Sequence, residues 1–178
     1  NLFNIIFSIP HVNFKFVKWD KEHPLGMLTQ TIGDVNKLEN FYEYQLYCKS
    51  LNASIQNFTK QTKSVLNMKS QQDYFNSIMK DNPQIEDRTK KYIFSIDSKN
   101  TLDFDDAIGI HAEDEIKVIS IYISNVSIWL DTLNLWNSFS NRISTIYLPD
   151  KKRPMLPTIL SDNLCSLKEN ELRFTFVI

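Results

Sequence analysis

Four aspartates stand close together in residues 95–108, which read SIDSKNTLDFDDAI. The four are Asp97, Asp103, Asp105 and Asp106. Carboxylates at this density repel one another, and the repulsion is costly unless a cation lies among them. Apolar residues frame the acids on both sides, namely Tyr92, Phe94, Ile96, Phe104, Ala107, Ile108 and Ile110. We therefore predict that the acids lie at the mouth of buried strands rather than on a solvated tail.

Carboxylate oxygens are ligands that Mg²⁺ and Mn²⁺ prefer, often in combination with substrate phosphates. In an extended chain Asp103 and Asp105 lie on one face and Asp106 on the other. All four side chains can converge only if the chain bends near Asp106 and returns to Asp97 through the turn-forming residues 98–101. The pattern predicts a metal-dependent site for phosphodiester hydrolysis. A solvated acidic loop and an unrelated phosphotransferase remain the alternatives, whereas an EF-hand is disfavoured because its glycine and glutamate are missing.

The composition is that of a folded, nearly neutral chain. Of the 178 residues, 42% are hydrophobic and 12% aromatic, which is enough for a core and excludes wholesale disorder. The formal net charge of −1 comes from 20 basic and 21 acidic residues, so a polyanionic partner is not excluded, although no broad basic surface is indicated. The histidines form no i, i+4 pair that would indicate zinc. Cys48 and Cys165 match no metal or redox spacing and predict buried free thiols.

No apolar run is long enough to span a bilayer, and the first ten residues lack the basic start of a signal peptide. We therefore expect an intracellular protein, cytoplasmic or nuclear, that has no membrane partner. The chain lacks an initiator Met, and both of its ends carry strand patterns, so we interpret it as part of a longer protein.

The residue pattern predicts three regions. Residues 1–33 carry the aromatic-rich alternation of a small barrel, with strands at 2–9, 13–19 and 26–32. Residues 34–90 predict a connector that is helical in parts, with one helix capped by Asp34 and running to about residue 51, and another at 71–79. Residues 91–178 predict an α+β region with strands at 107–111, 117–126, 145–148 and 172–178, a helix at 130–142 and a short helical turn at 162–165.

Two blocks of sequence carry a family resemblance. The first is Ser95-Ile96-Asp97 followed by Asp103-Phe104-Asp105-Asp106-Ala107. The second comprises Tyr147-Leu148-Pro149-Asp150, Pro154-Met155-Leu156-Pro157, Leu160-Ser161 and Leu164-Cys165-Ser166-Leu167. In order and spacing, both blocks resemble the ribonuclease II/ribonuclease R family of exoribonucleases, which share an RNB domain. The resemblance implies an α+β fold: the C-terminal part of a cold-shock or OB-like domain (1–33), a helical connector (34–90) and the N-terminal part of an RNB catalytic domain (91–178).

The resemblance also implies an activity. It is that of a processive 3′-to-5′ exoribonuclease, which hydrolyses single-stranded RNA to nucleoside 5′-monophosphates with Mg²⁺ or Mn²⁺. Mapped by motif, Asp97, Asp103 and Asp106 would be metal ligands. Asp105 would be the remaining catalytic acid, which holds a second metal ion or orients the attacking water.

The second block implies contacts with RNA. Tyr147 matches the family tyrosine that stacks on the 3′-terminal nucleotide, since every base offers a π-surface to an aromatic ring. Lys151, Lys152 and Arg153 follow directly and could meet phosphates by charge. A half-buried strand tyrosine and a solvated basic loop remain the alternatives. The leucines and Cys165 are expected to pack beneath the site.

One stretch departs from the family pattern. Asn125 and Ile128 stand where family members usually carry an aspartate and a histidine. A non-catalytic RNA-binding or scaffold protein with a degenerate RNB domain is therefore the alternative function. The family's catalytic arginine and second stacking aromatic would lie beyond Ile178. Membership of a larger RNA-degradation assembly is compatible with either function, and the sequence does not define the oligomeric state.

Overall fold

The computed structural model describes residues 9–113, 115–139 and 141–178. In chain order its elements are β1 (Pro10–Asp20), β2 (His23–Asp34), α1 (Leu38–Cys48), α2 (Gln56–Leu66), α3 (Gln71–Asp81), β3 (Ile93–Phe94), β4 (Asp106–Glu113), β5 (Ile116–Ser124), α4 (Val126–Thr132), a 3₁₀ turn (Trp136–Ser138), β6 (Ile146–Tyr147), β7 (Lys152–Arg153), a π-helical turn (Leu160–Leu164) and β8 (Thr175–Val177). The chain divides into two compact units, Asn1–Ala53 with Ile146–Arg153, and Ser54–Thr145 with Pro154–Ile178.

A long antiparallel hairpin of β1 and β2 forms much of the first unit. The strands pair from Pro10 opposite Asp34 to Asp20 opposite His23. Residues 23–26, predicted as a loop, belong to β2, and Pro24 is tolerated because a strand in a two-stranded sheet always has a free edge. Residues 10–11 likewise begin β1 instead of separating two strands. The strand predicted at 2–9 lies outside the described residues except for Ile9.

Helix α1 begins three residues later than the sequence predicts, with Lys37 instead of Asp34 at the N-cap position. Asp34 ends β2, and its Oδ1 accepts a hydrogen bond from the Asn36 amide at 2.9 Å, which closes a turn instead of capping the helix. Gly33 has φ +142° and lies against Asn40, a position where a side chain would be strained. The His11 and Tyr44 rings stack with centroids 4.3 Å apart, which attaches α1 to the hairpin.

A four-stranded antiparallel sheet in the order β3-β4-β5-β8 is the framework of the second unit. Strand β4 pairs with β5 from Asp106 opposite Ile123 to Glu113 opposite Ile116. One sheet face is buried through Ala107, Gly109, Ser120 and Tyr122. The other face carries exposed isoleucines, namely Ile110, Ile119, Ile121 and Ile123. This register places the start of β4, and with it Asp106, beside the end of β5.

The core of the second unit is built from α2, α3, α4 and the segment that follows β7. Its members are Phe58, Tyr74, Ile78, Trp129, Leu130, Leu133, Leu135, Leu156, Leu160, Leu164, Cys165 and Phe174. Helix α3 confirms the helix predicted at 71–79 and starts with a capping box between Ser70 and Asp73. Helix α2 was not predicted, because its sequence is polar apart from a narrow apolar stripe that includes Phe58.

The helix predicted at 130–142 is shorter and starts earlier, as α4. The Asn125 side chain caps it by accepting a hydrogen bond from the Ile128 amide at 3.1 Å. The helix stops before Asn134, whose φ of +51° is not helical, and a 3₁₀ turn follows. The closing strand predicted at 172–178 is limited to β8. In the described part of the chain, no helix has the length and apolar character required to cross a membrane.

Candidate functional site

The acidic loop, residues 97–106, joins β3 to the first residue of β4. It contains the turn that the sequence predicts between Asp97 and Asp103. The Thr101 amide donates to the Ser98 carbonyl oxygen at 3.0 Å. The hydroxyls of the same two residues lie 2.9 Å apart. Residues 98–101 therefore reverse the chain locally, as turn-forming side chains favour.

The backbone on both sides of Asp103 is held by the second sequence block. The Ser166 hydroxyl accepts a hydrogen bond from the Phe104 amide at 3.1 Å and donates one to the Leu102 carbonyl oxygen at 2.8 Å. The Leu167 amide donates to the Phe104 carbonyl oxygen at 2.9 Å. Ser166 is fully buried, and its loss would leave the Phe104 amide and the Leu102 carbonyl oxygen without this partner. The two blocks that sequence reading paired by resemblance are thus in direct contact.

The Asp105 backbone is held from β5. The Ser124 amide donates to the Asp105 carbonyl oxygen at 2.9 Å. The Ser124 hydroxyl donates to the Cys165 carbonyl oxygen at 2.5 Å. Ser124 therefore links the acidic loop to the same segment that contains Ser166. The sequence places Ser166 in the second block, but it assigned no role to either serine, and Ser124 had no signal beyond a small polar residue among apolar ones.

Arg173 and Cys165 lie behind this backbone. The Arg173 Nε donates to the Ser166 carbonyl oxygen at 2.7 Å, and its guanidinium also pairs with Glu171. Burial raises the pKa of the Cys165 thiol to about 12; a hydrogen bond with Ser124 and the charge of Arg173 oppose that shift, and Asp105 adds to it. The thiol is therefore protonated at neutral pH and packs in the core, as predicted. The same prediction is wrong for Cys48, which is exposed because it lies on the solvent side of the last turn of α1.

The four carboxylates are not gathered into one cluster. Among the described residues, no group of three or more His, Cys, Asp or Glu side chains is arranged to hold a metal ion. Strand alternation gives a reason, because Asp106 lies on the same face of β4 as Ile108 and Ile110, and Asp97 lies beyond the turn. The predicted convergence is therefore not present. The donor chemistry itself fits, since these are carboxylate oxygens on a backbone that is held in place.

Tyr147 lies on a separate hairpin in the first unit. Strands β6 and β7 place Tyr147 opposite Lys152 and Ile146 opposite Arg153. Residues directly opposite one another share a face, so the Tyr147 ring and the Lys152 stem are neighbours. The Tyr147 side chain is 71% exposed, which rules out the half-buried strand tyrosine considered as an alternative. An exposed ring beside an ammonium group suits a nucleotide, although the role of Tyr147 stays a prediction.

Arg153 is placed differently from the two lysines before it. Its Nη2 lies 2.6 Å from Glu43 Oε1 in α1, and its Nη1 lies 2.8 Å from Asp150 Oδ1. The side chain is 7% exposed, and the hydrogen bond to Asp150 is the main reason why the pKa of Arg153 is raised. This guanidinium would have to leave two carboxylates to meet a phosphate, whereas Lys151 is exposed and Lys152 half-buried.

Known proteins are similar to this chain in both sequence and fold. The family model for the RNB domain matches residues 85–178. Exoribonuclease 2 of Psychromonas ingrahamii is 33% identical over 151 residues, which are 84% of this chain and 21% of that protein. Ribonuclease R of Chlamydia trachomatis is 42% identical over 79 residues, which are 43% of this chain and 11% of that protein. The matched residues therefore span about a fifth of the length of the first relative and about a tenth of the second.

Solved structures of Mycoplasma genitalium RNase R show the same fold. The complex with double-stranded RNA matches with a TM-score of 0.70 at 21% identity, over 99% of this chain and 31% of that chain. The apo form matches with a TM-score of 0.64 at 20% identity, over 99% of this chain and 27% of that chain. These matches confirm the predicted α+β fold class, with antiparallel sheets and helices.

Proposed function

This chain belongs to the RNB domain family, as its two sequence blocks predicted, and on that premise we propose that it is part of a 3′-to-5′ exoribonuclease that hydrolyses single-stranded RNA. The observation that carries the proposal is the match of the RNB domain to residues 85–178, which contain the four aspartates and both sequence blocks. The contact between the two blocks at Ser166 and Phe104 agrees with that match. The names of the relatives, Exoribonuclease 2 and Ribonuclease R, support the same reaction class.

The proposed chemistry assigns one role to each carboxylate of the acidic loop. Asp97, Asp103 and Asp106 would hold Mg²⁺ or Mn²⁺, for which their side chains would have to converge, and Asp105 would hold a second ion or orient the attacking water. A bound divalent ion lowers the pKa of water and neutralises charge that develops on the phosphate. Backbone contacts from Ser124 and Ser166 limit the movement of Asp103 and Asp105. The products would be nucleoside 5′-monophosphates, released processively.

Tyr147 and its hairpin would bind the RNA. The exposed Tyr147 ring can stack on any base, and one stack contributes roughly 1–3 kcal/mol, which suits an enzyme that must accept every nucleotide in turn. Lys151 and Lys152 would attract phosphates, and this attraction would weaken with salt. Arg153 would support the loop that carries the two lysines, through its ion pairs with Glu43 and Asp150.

The structure explains why Asn125 and Ile128 need not mark a degenerate domain. Asn125 caps α4, a role in which asparagine and aspartate are about equal. Ile128 packs against the core of the second unit. Both departures thus have local structural roles outside the acidic loop, and the scaffold alternative gains no support from them.

We also propose an intracellular location, in the cytoplasm or the nucleus, where RNA substrates are present and the exposed Cys48 thiol would stay reduced. Association with a larger RNA-degradation assembly is compatible with the proposal and is not needed for it.

The proposal is tested with the full-length protein and single-stranded RNA labelled at either end, in the presence of Mg²⁺. We expect stepwise shortening from the 3′ end with release of 5′-monophosphates. Asp105→Asn should reduce the rate by at least about 100-fold and leave RNA binding unchanged, because water orientation is lost and charge recognition is not. Asp81→Asn, an exposed carboxylate at the end of α3, is the matched control and should be fully active. RNA binding without turnover in the wild type would favour the scaffold, and a preference for DNA or nucleotides would contradict the family reaction.

A further inference from the structure

We propose that Ser166 is a positioning residue of the acidic loop, and that its hydroxyl fixes the main chain from which Asp103 and Asp105 present their carboxylates. The inference rests on the exoribonuclease function proposed above and assigns a task to a residue that is not one of the four aspartates. Ser166 lies more than sixty residues along the chain from the loop that it holds. It is fully buried, so solvent does not substitute for its contacts.

Both hydrogen-bonding capacities of the Ser166 hydroxyl are used on the acidic loop. The oxygen accepts from the Phe104 amide at 3.1 Å, and the proton goes to the Leu102 carbonyl oxygen at 2.8 Å. These two main-chain groups bracket Asp103. Alanine would fill most of the same space and lose both bonds, whereas threonine would keep the hydroxyl.

The segment that contains Ser166 is also linked to Asp105, through Ser124. Cys165, the neighbour of Ser166, accepts from the Ser124 hydroxyl at 2.5 Å, and the Ser124 amide donates to the Asp105 carbonyl oxygen at 2.9 Å. On the other side, the Arg173 Nε holds the Ser166 carbonyl oxygen at 2.7 Å. Displacement of Ser166 would therefore move Asp103 directly and Asp105 through Ser124.

Burial fixes few side chains of the acidic loop. Leu102 is 59% exposed, and Asp97, Asp105 and Asp106 are exposed. The large buried residues belong to a core of which the acidic loop is not a member. Hydrogen bonds to its main chain therefore contribute to its shape, and removing them should loosen the loop more than it destabilises the fold.

The test compares Ser166→Ala with Ser138→Ala in the full-length protein. Ser138 is also buried, and its hydroxyl donates to the Leu135 carbonyl oxygen at 2.9 Å, away from the acidic loop. In metal-free protein, hydrogen exchange of the Phe104 amide should speed up on the order of tenfold in Ser166→Ala and stay unchanged in Ser138→Ala. Calorimetry should show Mn²⁺ binding weakened by about 10–100-fold in the first variant alone.

Steady-state kinetics completes the comparison. We expect kcat to fall by about 10–100-fold in Ser166→Ala with KM for RNA unchanged, and Ser166→Thr to recover much of the loss. Unchanged Phe104 exchange, or equal losses in Ser166→Ala and Ser138→Ala, would overturn the inference. If Ser166→Ala does not fold, Ser166→Cys decides by the same measurements, since a thiol nearly keeps the shape of the side chain and is only a weak hydrogen-bond donor and acceptor. A wild type that binds Mn²⁺ but does not cleave RNA would refute the proposed function, while the exchange and binding data would still decide the role of Ser166.

Discussion

At the scale of single residues, Asn125 shows how a departure from a family pattern can be neutral. Its side-chain oxygen accepts hydrogen bonds from the Ile128 amide at 3.1 Å and from the Ser127 hydroxyl at 2.9 Å. An aspartate could accept both, because only the acceptor oxygen of the amide is used. The cap of α4 therefore needs a side chain of this shape with an acceptor oxygen, and a negative charge is not required.

We predict that Asn125→Asp changes the free energy of unfolding by less than about 0.5 kcal/mol, whereas Asn125→Ala lowers it by about 1 kcal/mol, the usual cost of a lost cap. Urea denaturation monitored by circular dichroism measures both. Ser70→Ala is the control, because it removes the same kind of capping side chain at the start of α3. A stabilising effect of Asn125→Ala would contradict the capping role.

At the scale of elements, Arg153 joins the β6–β7 hairpin to α1 within the first unit. Its guanidinium is nearly buried, while Glu43 is 46% exposed, so solvent screens this ion pair on the Glu43 side. The same side chain donates to the Lys151 carbonyl oxygen at 2.9 Å, which shapes the loop that carries both lysines. Arg153 therefore determines how Tyr147 and Lys152 are presented.

We predict that Arg153→Ala lowers the free energy of unfolding by about 1–3 kcal/mol at neutral pH and weakens RNA binding several-fold, because the hairpin loses its anchor. Lys151→Ala, which removes an exposed charge, should weaken RNA binding without a loss of stability. Thermal denaturation and fluorescence anisotropy separate the two effects. Equal stability of Arg153→Ala and wild type would show that the ion pairs contribute nothing.

The effect of Arg153 should also depend on pH. A hydrogen bond from Arg153 lowers the pKa of Asp150 below that of an ordinary aspartate. A lowered pKa in the folded state stabilises the protein above the unfolded pKa, and this contribution is lost as the pH falls through the lowered value. The stability difference between wild type and Arg153→Ala should therefore shrink in acid. A difference that grew as the pH fell would contradict the pairing.

Some of these elements were predictable from sequence and others were not, for physical reasons. Strands β4 and β5 and helix α3 show local periodicity or a local cap, so short windows of sequence predict them. The aspartates were recognisable as a motif. The contacts of Ser166 with Phe104 and of Arg153 with Glu43 join residues 62 and 110 positions apart, and no local pattern encodes them. The convergence of the acids was predicted from donor chemistry alone, which does not set side-chain direction.

At the scale of the whole molecule, the two units differ in how their strands are stabilised. Strands β4 and β5 have hydrogen-bonded neighbours on both sides and one buried face. Among residues 9–113, 115–139 and 141–178, β1 and β2 pair only with each other, and residues 14–31 are all exposed. A two-stranded hairpin without a buried face is marginally stable in water. Cooperative stability in this chain should therefore reside in the second unit.

We predict that hydrogen exchange in the 178-residue chain is slower in the β4–β5 hairpin than in the β1–β2 hairpin. Amides in β4 and β5, such as those of Ala107 and Tyr122, should exchange at least about 100-fold more slowly than those of Phe14 and Leu28 in the β1–β2 hairpin, because local opening is cheap where few side chains are buried. Mass spectrometry of peptic fragments measures both regions in one sample, which removes differences in concentration and pH. Phe58→Ala, a cavity in the core of the second unit, should raise exchange in β4 and β5 and leave β1 and β2 unaffected. If both hairpins responded equally to that substitution, the chain would unfold as a single cooperative body, and the division into two units would have no energetic meaning.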